Sequence, residues 1–289
     1  MFDIKNIVEP NTLEEALVII DSNVDYKIIA GGTDVLIKLR HGEWKGINLL
    51  SINKLQELKK IDVLENGEIL IGAGVTFTEV FRSKVIMEKL TALGEGAVSM
   101  GGPQIRNMAT IGGNVCNGAV SADSIASLMA FDAKLKLVSK NGERIVPINK
   151  FYKGPGSVDL AANEILTAII IDKNNYNNKK SCYTKFSNRR AMDIAMLGVT
   201  VVTETQNNLF KDIRIGLSVA GPVPIRCYIA EELGRDKEIN KENINKIGKA
   251  AVKSAKARDS WRASKAYREH LIEELTIRAL EKLTIKEEK

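Results

Sequence analysis

The sequence predicts an α+β protein in two parts: a larger N-terminal part, 1–176, and a smaller part, 177–289, of antiparallel strands plus helices. Three observations predict it. An apolar run, Tyr26 to Ala30, stops at a glycine turn and gives way to a helical pattern. Two Asn-Gly pairs, Asn66-Gly67 and Asn141-Gly142, each lie between apolar runs and read as hairpin turns. A polar, asparagine-rich stretch, Asp172 to Lys180, then precedes three strand-like runs and the closing helices.

Taken in order, the first element is a helix. Thr12 and Glu15 suit a capping box, and Leu13, Ala16, Leu17 and Ile20 repeat at helical spacing. Tyr26 to Ala30 reads as a buried strand, followed by Gly31-Gly32-Thr33-Asp34 and a helix carrying Val35, Leu36 and Leu39. After the first hairpin, Thr76 and Glu79 suit a second capping box, opening a helix towards Leu90. Ser124 to Phe131 reads as a helix with Asp123 as its N-cap. Asp172 to Lys180 reads as a linker or exposed turn. Strands are expected over Cys182–Ser187, Leu197–Thr205 and Leu209–Ala220. In the last helix Tyr267, Leu271, Leu275 and Ala279 form a core stripe.

Composition excludes several functions. The net charge of +6 comes from scattered lysines, and aromatics are only 5%. A nucleic-acid binder would cluster its basic residues with aromatics, so no nucleic-acid partner is expected. Cys116, Cys182 and Cys227 lie far apart, with no Cys-x-x-Cys or Cys/His cluster to build a zinc or iron–sulfur site. No apolar run approaches the ~20 residues of a membrane span, and no secretory leader pattern opens the chain. The expectation is a cytoplasmic protein without a membrane partner. His41 and His270 have no nucleophile or carboxylate arranged near them in sequence, so no catalytic residue is assigned.

Two glycine turns carry the chemistry. Ala30 to Asp34 and Ala109 to Asn114 each set paired glycines beside a threonine. Glycine permits close approach of a ligand to main-chain N–H groups, and successive free N–H groups bind anions. Thr33 and Thr110 could add hydroxyl donors. Two such turns suggest two phosphates, hence a dinucleotide, against the simpler reading of tight turns. The Rossmann fingerprint is absent: Gly72-Ala73-Gly74 begins one, but Phe77 stands where its third glycine belongs. A P-loop is absent as well.

KIIAGGTDVLIKLR (Lys27 to Arg40) and GPQIRNMATIGGNVCNGAVSADS (Gly102 to Ser124) resemble the two FAD-binding loops of the molybdenum hydroxylase flavoproteins, which include those of xanthine dehydrogenase and CO dehydrogenase. The likeness continues, in order, through KFSNRRAMDIAMLGV (Lys185 to Val199), AGPVPIRC and SWRASKAYREHL. Within that family the chain resembles the separate FAD-binding subunit of bacterial three-subunit xanthine dehydrogenases.

That resemblance implies a two-lobed, PCMH-type FAD-binding domain followed by a smaller α/β domain. It implies FAD contacts from Lys27, Ile28, Ile29, Ala30, Gly31, Gly32, Thr33, Asp34 and Val35. The second loop would add Ala109, Thr110, Ile111, Gly112, Gly113, Asn114 and Asn117, with Asp123 as a further polar contact. Leu166 matches an apolar flavin-pocket position, and Lys185 a lysine near the flavin ring. A carboxylate is repelled by a pyrophosphate, so Asp34 is expected to accept hydrogen bonds from N–H groups or ribose hydroxyls. Cys116 is expected to be a small buried thiol. The implied role is electron transfer. Electrons from 2Fe–2S clusters on a small partner subunit reach FAD here and leave to NAD, while a molybdopterin-binding large subunit hydroxylates xanthine. The implied assembly is a hetero-oligomer, and the molybdenum and iron groups belong to its other chains. A flavin subunit for nicotinate, CO or aldehyde hydroxylation, a stand-alone FAD oxidoreductase and a non-catalytic nucleotide-binding module are the alternatives. Lys179, Lys180, Lys185, Arg189 and Arg190 form a basic run, read mainly as a solvated face.

Overall fold

The computed structural model describes residues 2–22 and 24–285. Three strands form a parallel sheet near the N-terminus: β1 (Ile4–Val8), β2 (Tyr26–Ile29) and β3 (Ile47–Ser51), in the order β1-β3-β2. Helix α1 (Leu13–Ile20) buries Ala16 and Ile20 against Leu50, Ile52 and Leu55. Thr12 Oγ1 caps it by accepting from the Glu15 N–H at 3.1 Å. The Glu15 carboxylate accepts from the Asn11 N–H instead of closing a capping box on Thr12. β2 is an edge strand, so its four residues are half-buried rather than fully buried. Helix α2 (Val35–Arg40) follows the glycine turn.

A second, antiparallel sheet of five strands forms the other lobe: β4 (Ile61–Val63), β5 (Ile69–Gly72), β6 (Lys134–Ser139), β7 (Gly142–Pro147) and β10 (Ile165–Ile171). Its order is β4-β5-β10-β6-β7, and the apolar run of β10 fits its central place. A small pair, β8 (Tyr152–Gly154) and β9 (Ser157–Val158), lies beside it in sequence. Both Asn-Gly hairpins form, but neither turns on its Asn-Gly pair alone. β4 and β5 close through Leu64 to Glu68, with Gly67 at φ +82°. β6 and β7 pair Ser139 with Gly142, so Lys140 and Asn141 make that turn.

Between β5 and β6 run α3 (Phe77–Arg82), α4 (Lys84–Lys89), α5 (Thr91–Ser99), α6 (Pro103–Met108), α7 (Ile111–Asn117) and α8 (Ile125–Ala130); α9 (Ile148–Phe151) follows β7. The capping box of α3 is complete: Thr76 Oγ1 accepts from Glu79 N–H, and Glu79 Oε2 accepts from Thr76 N–H. The N-cap of α8 is Ser124, not Asp123. The Asp123 carboxylate is drawn elsewhere, as described below.

The third sheet is antiparallel, β11 (Lys180–Phe186), β12 (Leu197–Gln206), β13 (Leu209–Ser218) and β14 (Ile225–Arg226), in sequence order. It holds one more short strand than expected. Its strands alternate between two cores. Val199 and Val201 of β12 face a core shared with α10 (Tyr228–Gly234), α11 (Lys241–Val252) and α12 (Lys265–Thr284). On the other face Val202 joins the core of the preceding lobe, and the Thr200 hydroxyl meets that of Ser127 on α8 at 3.0 Å. Leu271, Leu275 and Ala279 of α12 are buried as the stripe predicts; Tyr267 is 42% exposed, packed edge-on to Phe186.

Asp172 to Lys180 is an exposed turn anchored at a few points: Lys173, Asn174, Asn177, Asn178 and Lys180 are exposed, while Asn175 and Tyr176 are buried. The Tyr176 hydroxyl donates to the Gly67 carbonyl at 2.6 Å, and Asn175 Oδ1 accepts from Arg214 at 2.7 Å. Lys179, its side chain 5% exposed, bridges Glu204 and Asp212 at 2.9 Å each. The exposed side chains of the turn stay solvated, and its buried ones are hydrogen-bonded.

Candidate functional site

The two glycine turns touch. A Cβ on Gly31 would lie 1.7 Å from the Met108 carbonyl oxygen, so only glycine lets the first turn rest on the backbone that leads into the second. Gly32 takes φ +73° and redirects the chain from β2 into α2. The helix then turns inward: the Leu36 N–H donates to Gly32 O, and those of Ile37 and Lys38 to Asp34 O. Among the described residues the N–H groups of Gly31, Gly32, Thr33, Asp34 and Val35 have no partner. The Asp34 carboxylate caps nothing and stands exposed. Lys27 is half-exposed and paired with Asp25 at 3.1 Å. Ile28, Ile29 and Ala30 line the approach as half-buried residues.

The second turn is built differently. Thr110 is the N-cap of α7, and its Oγ1 accepts from the Gly113 N–H at 3.1 Å. The Ile111 N–H donates to Val75 O, Gly112 to Ala73 O and Asn114 to Thr110 O, while Ala109 O accepts from Phe77. The free N–H groups expected here are therefore engaged within the protein. The two glycines also differ. A Cβ on Gly112 would lie 2.4 Å from the Ala73 Cβ, so Gly112 serves packing of α7 against the end of β5. A Cβ on Gly113 would meet only Thr110 Oγ1, and Gly113 is exposed. Asn114 Oδ1 accepts from the Ser124 hydroxyl at 2.7 Å; Asn117 is half-buried without a side-chain partner among the described residues.

Asp123 and Lys185 come together in one buried pair. Lys185 Nζ donates to Asp123 Oδ2 at 2.9 Å and to the Ser99 carbonyl at 3.2 Å. The side chains are 11% and 7% exposed, which overturns a surface lysine. The Tyr183 hydroxyl donates to Asp123 Oδ1 at 2.9 Å. Burial pushes the Asp123 carboxyl above its usual range, opposed by Lys185 and Tyr183. Burial and the adjacent Asp123 push the Tyr183 phenol well above its ordinary value, so it stays a donor. Tyr183 carried no motif. The signal for it was the strand period of two, which places residues 183 and 185 on one face of β11.

Beyond Lys185 opens a cleft of about 370 Å³, lined by Ser99, Phe186, Arg189, Arg190 and Asp193 among others. The Arg189 and Ile194 N–H groups lead in holding the Asp193 carboxyl below its ordinary value, against burial. The basic run of the sequence thus divides: Lys179 and Lys185 are buried in ion pairs, and the two arginines line the cleft. Leu166 is 4% exposed on β10, opposite Leu137. Cys116 sits on α7 and is half-buried rather than fully buried; desolvation still pushes its thiol up to about 12, so it is protonated at neutral pH. His41 and His270 are exposed. The site offers free amides, hydroxyl and amide side chains and one buried cation: binding chemistry for a phosphate-bearing ligand rather than an acid–base pair.

Residues 2–173 match the FAD binding domain in molybdopterin dehydrogenase, and residues 182–283 the CO dehydrogenase flavoprotein C-terminal domain. The chain is 40% identical over 276 residues to the xanthine dehydrogenase FAD-binding subunit of Escherichia coli O157:H7, covering 96% of this chain and 94% of that one. It is 37% identical over 194 residues to the nicotinate dehydrogenase FAD-subunit of Eubacterium barkeri, 65% of each. Its fold superposes on a chain of carbon monoxide dehydrogenase from Hydrogenophaga pseudoflava with a TM-score of 0.91, at 25% identity and 98% coverage of both. No helix among the described residues is long and apolar enough to cross a membrane. The chain belongs to the FAD-binding flavoprotein family of the molybdenum hydroxylases and is an oxidoreductase subunit of that family.

Proposed function

We propose that this chain is the flavin station of a xanthine dehydrogenase, taking electrons from 2Fe–2S clusters on a partner subunit and delivering them to NAD. The observation that carries the reading is the row of five partnerless amides, Gly31 to Val35, resting on the second glycine turn. Such a row is an anion cradle, and it fits the pyrophosphate of FAD. Thr33 adds a hydroxyl to it. Gly113 leaves its face open, and Asn114 and Asn117 supply side-chain amides. Asp34, exposed and capping nothing, is suited to ribose hydroxyls. Bound FAD supplies the exchange between one-electron and two-electron transfer.

The remaining work falls to this chain's own groups. Lys185, held by Asp123 and the Ser99 carbonyl, fixes a positive charge at the cleft and favours an anionic, reduced ligand. Arg189 and Arg190 give the cleft a cationic wall suited to the phosphates of NAD. Leu166, buried on β10 and outside the lining of the cleft, would back the flavin pocket from within the core. The division into a flavin-binding unit, 1–176, and a second unit, 177–289, goes with this reading. So do a molybdopterin-binding large subunit and a small iron–sulfur subunit as partners in a hetero-oligomer. The 40% identity to a xanthine dehydrogenase subunit favours xanthine; the likeness to a nicotinate dehydrogenase subunit supports nicotinate as the second reading.

The test is an anaerobic NADH titration of the purified, FAD-loaded chain, followed by flavin absorbance. Bleaching of the flavin is expected. A full flavin spectrum unmoved by NADH but bleached by dithionite would overturn NAD as the acceptor. Failure of the chain to retain added FAD would overturn the flavin assignment itself.

A further inference from the structure

The SWRASKAYREHL stretch is not used by the flavin reading, and it forms the wall of a separate cavity. This cavity, about 140 Å³, is lined by Arg258, Arg262, Arg268, Ser121, Ser260 and Val219 among others, with no acidic residue among the described residues of its lining. Arg268 is 3% exposed on α12. Its Nη1 donates to the Met196 carbonyl and its Nη2 to the Ser260 hydroxyl at 2.7 Å, while its buried Nε has no partner. Among the described residues, the other cations with buried side chains pair with carboxylates: Lys179 with Glu204 and Asp212, Lys185 with Asp123, Arg226 with Glu231. Arg268 has no carboxylate partner, a state it shares with half-buried Arg106, which donates to the Met100 and Gly101 carbonyls. Burial, and then the charges of Arg258 and Arg262, hold the Arg268 guanidinium below its ordinary value. A buried charge facing two like charges is unfavourable unless an anion completes the set.

We infer that this cavity is a binding site for a small oxoanion, a phosphate or a carboxylate. Arg258 and Arg262 line the cavity with guanidinium groups, a chemistry that matches those head groups, and Arg268 adds its unpartnered Nε–H, its two Nη groups being taken by Met196 and Ser260. The Ser121 hydroxyl, without a side-chain partner among the described residues, adds a donor. The volume is well below that of pockets for drug-sized ligands, so it holds a head group and not a nucleotide. Val219, a β-branched residue at φ +63°, forms part of the wall, and strain of this kind collects at ligand sites. An occupant would tie the segment before α12 to the stretch running from the second glycine turn to Asp123, and to Ile194 and Ala195 beyond the cleft.

The experiment measures thermal unfolding of the full chain with saturating FAD, at constant ionic strength. Inorganic phosphate or acetate replaces chloride. A saturable rise in Tm of roughly 5 °C is expected with phosphate, acetate or both. A rise with phosphate alone assigns a phosphorylated ligand, and a rise with acetate a carboxylate. Arg258→Gln and Arg262→Gln change exposed and half-buried side chains and leave the fold intact; each should remove the rise. Lys253→Gln, an exposed control of equal charge change, should keep it. No rise with either anion, or an equal rise in Arg262→Gln, overturns the inference.

Discussion

Lys185 Nζ lies 2.9 Å from Asp123 Oδ2 in a buried pair that joins β11 to the stretch leading from the second glycine turn. Removing one partner leaves a buried charge without its counter-ion. Lys185→Ala should therefore cost roughly 3 kcal/mol in urea unfolding. Asp123→Asn combined with Lys185→Met should recover much of that loss, since no buried charge remains. The loss should also depend on pH. Without Lys185 the Asp123 carboxyl rises further. A raised carboxyl contributes stability that is present below its unfolded value of about 3.9 and is lost as pH rises through the folded value. The deficit of Lys185→Ala should thus be smallest in acid and full at neutral pH. In FAD-loaded protein the same substitution should make the reduction potential more negative; an unchanged potential would separate Lys185 from the flavin.

Local patterns and long-range pairings were not equally legible in the sequence. The capping box of Thr76 and Glu79, both hairpins and the buried stripe of α12 follow from residues a few positions apart, and periodicity reports those. β1 and β3 went unread because their parallel pairing joins residues some forty apart, and no short-range signal marks it. An aspartate before a helical run is a good cap, so the local pattern points Asp123 at the nearest helix. In the folded chain Lys185 and Tyr183, sixty residues away, compete for the same carboxylate and win. The glycines of the second turn looked equivalent in sequence, yet one packs and the other stays open. That difference lies in Ala73, which the turn meets only after β5 is in place.

Gly31 and Gly112 are where backbone and side chain approach too closely for any Cβ. Gly31→Ala should push the first turn away from Met108, since the added carbon would lie 1.7 Å from a carbonyl oxygen that cannot move freely. Weaker FAD retention and a Tm several degrees lower are expected, measured on the same preparation. Gly112→Ala should lower Tm comparably through its clash with Ala73.

Glu164 sets part of the acid limit of stability. Its Oε1 and Oε2 accept from Arg144 Nε and Nη2 at 2.6 and 2.8 Å, and Oε2 also accepts from the Ala161 N–H at 2.8 Å. The Arg144 guanidinium leads in holding the Glu164 carboxyl below its ordinary value. A depressed carboxyl contributes stability that is present above its unfolded value of about 4.3 and lost as pH falls through the folded value. Glu164→Gln should cost about 1 kcal/mol at neutral pH, a figure kept small because the Arg144 side chain is 41% exposed. The gap between variant and wild type should close as both are unfolded at progressively lower pH.

Gly113 separates the flavin reading from a structural one. A Cβ there meets only Thr110 Oγ1, at 2.9 Å, and the residue is exposed at the start of α7. Gly113→Ala should therefore fold with a Tm a few degrees lower at most, since the Thr110 hydroxyl that caps α7 must give way by a few tenths of an ångström. Gly113→Val should also fold, but its branched side chain would occupy the open face of the turn. Loss of FAD from the purified valine variant, with the alanine variant retaining most of it, is the expected pattern. The measurement is the ratio of flavin to protein absorbance after gel filtration, with circular dichroism to confirm the fold. Full FAD occupancy in a folded Gly113→Val protein would remove the open face of the second turn from the binding site, whose anion cradle is the free amides of Gly31 to Val35.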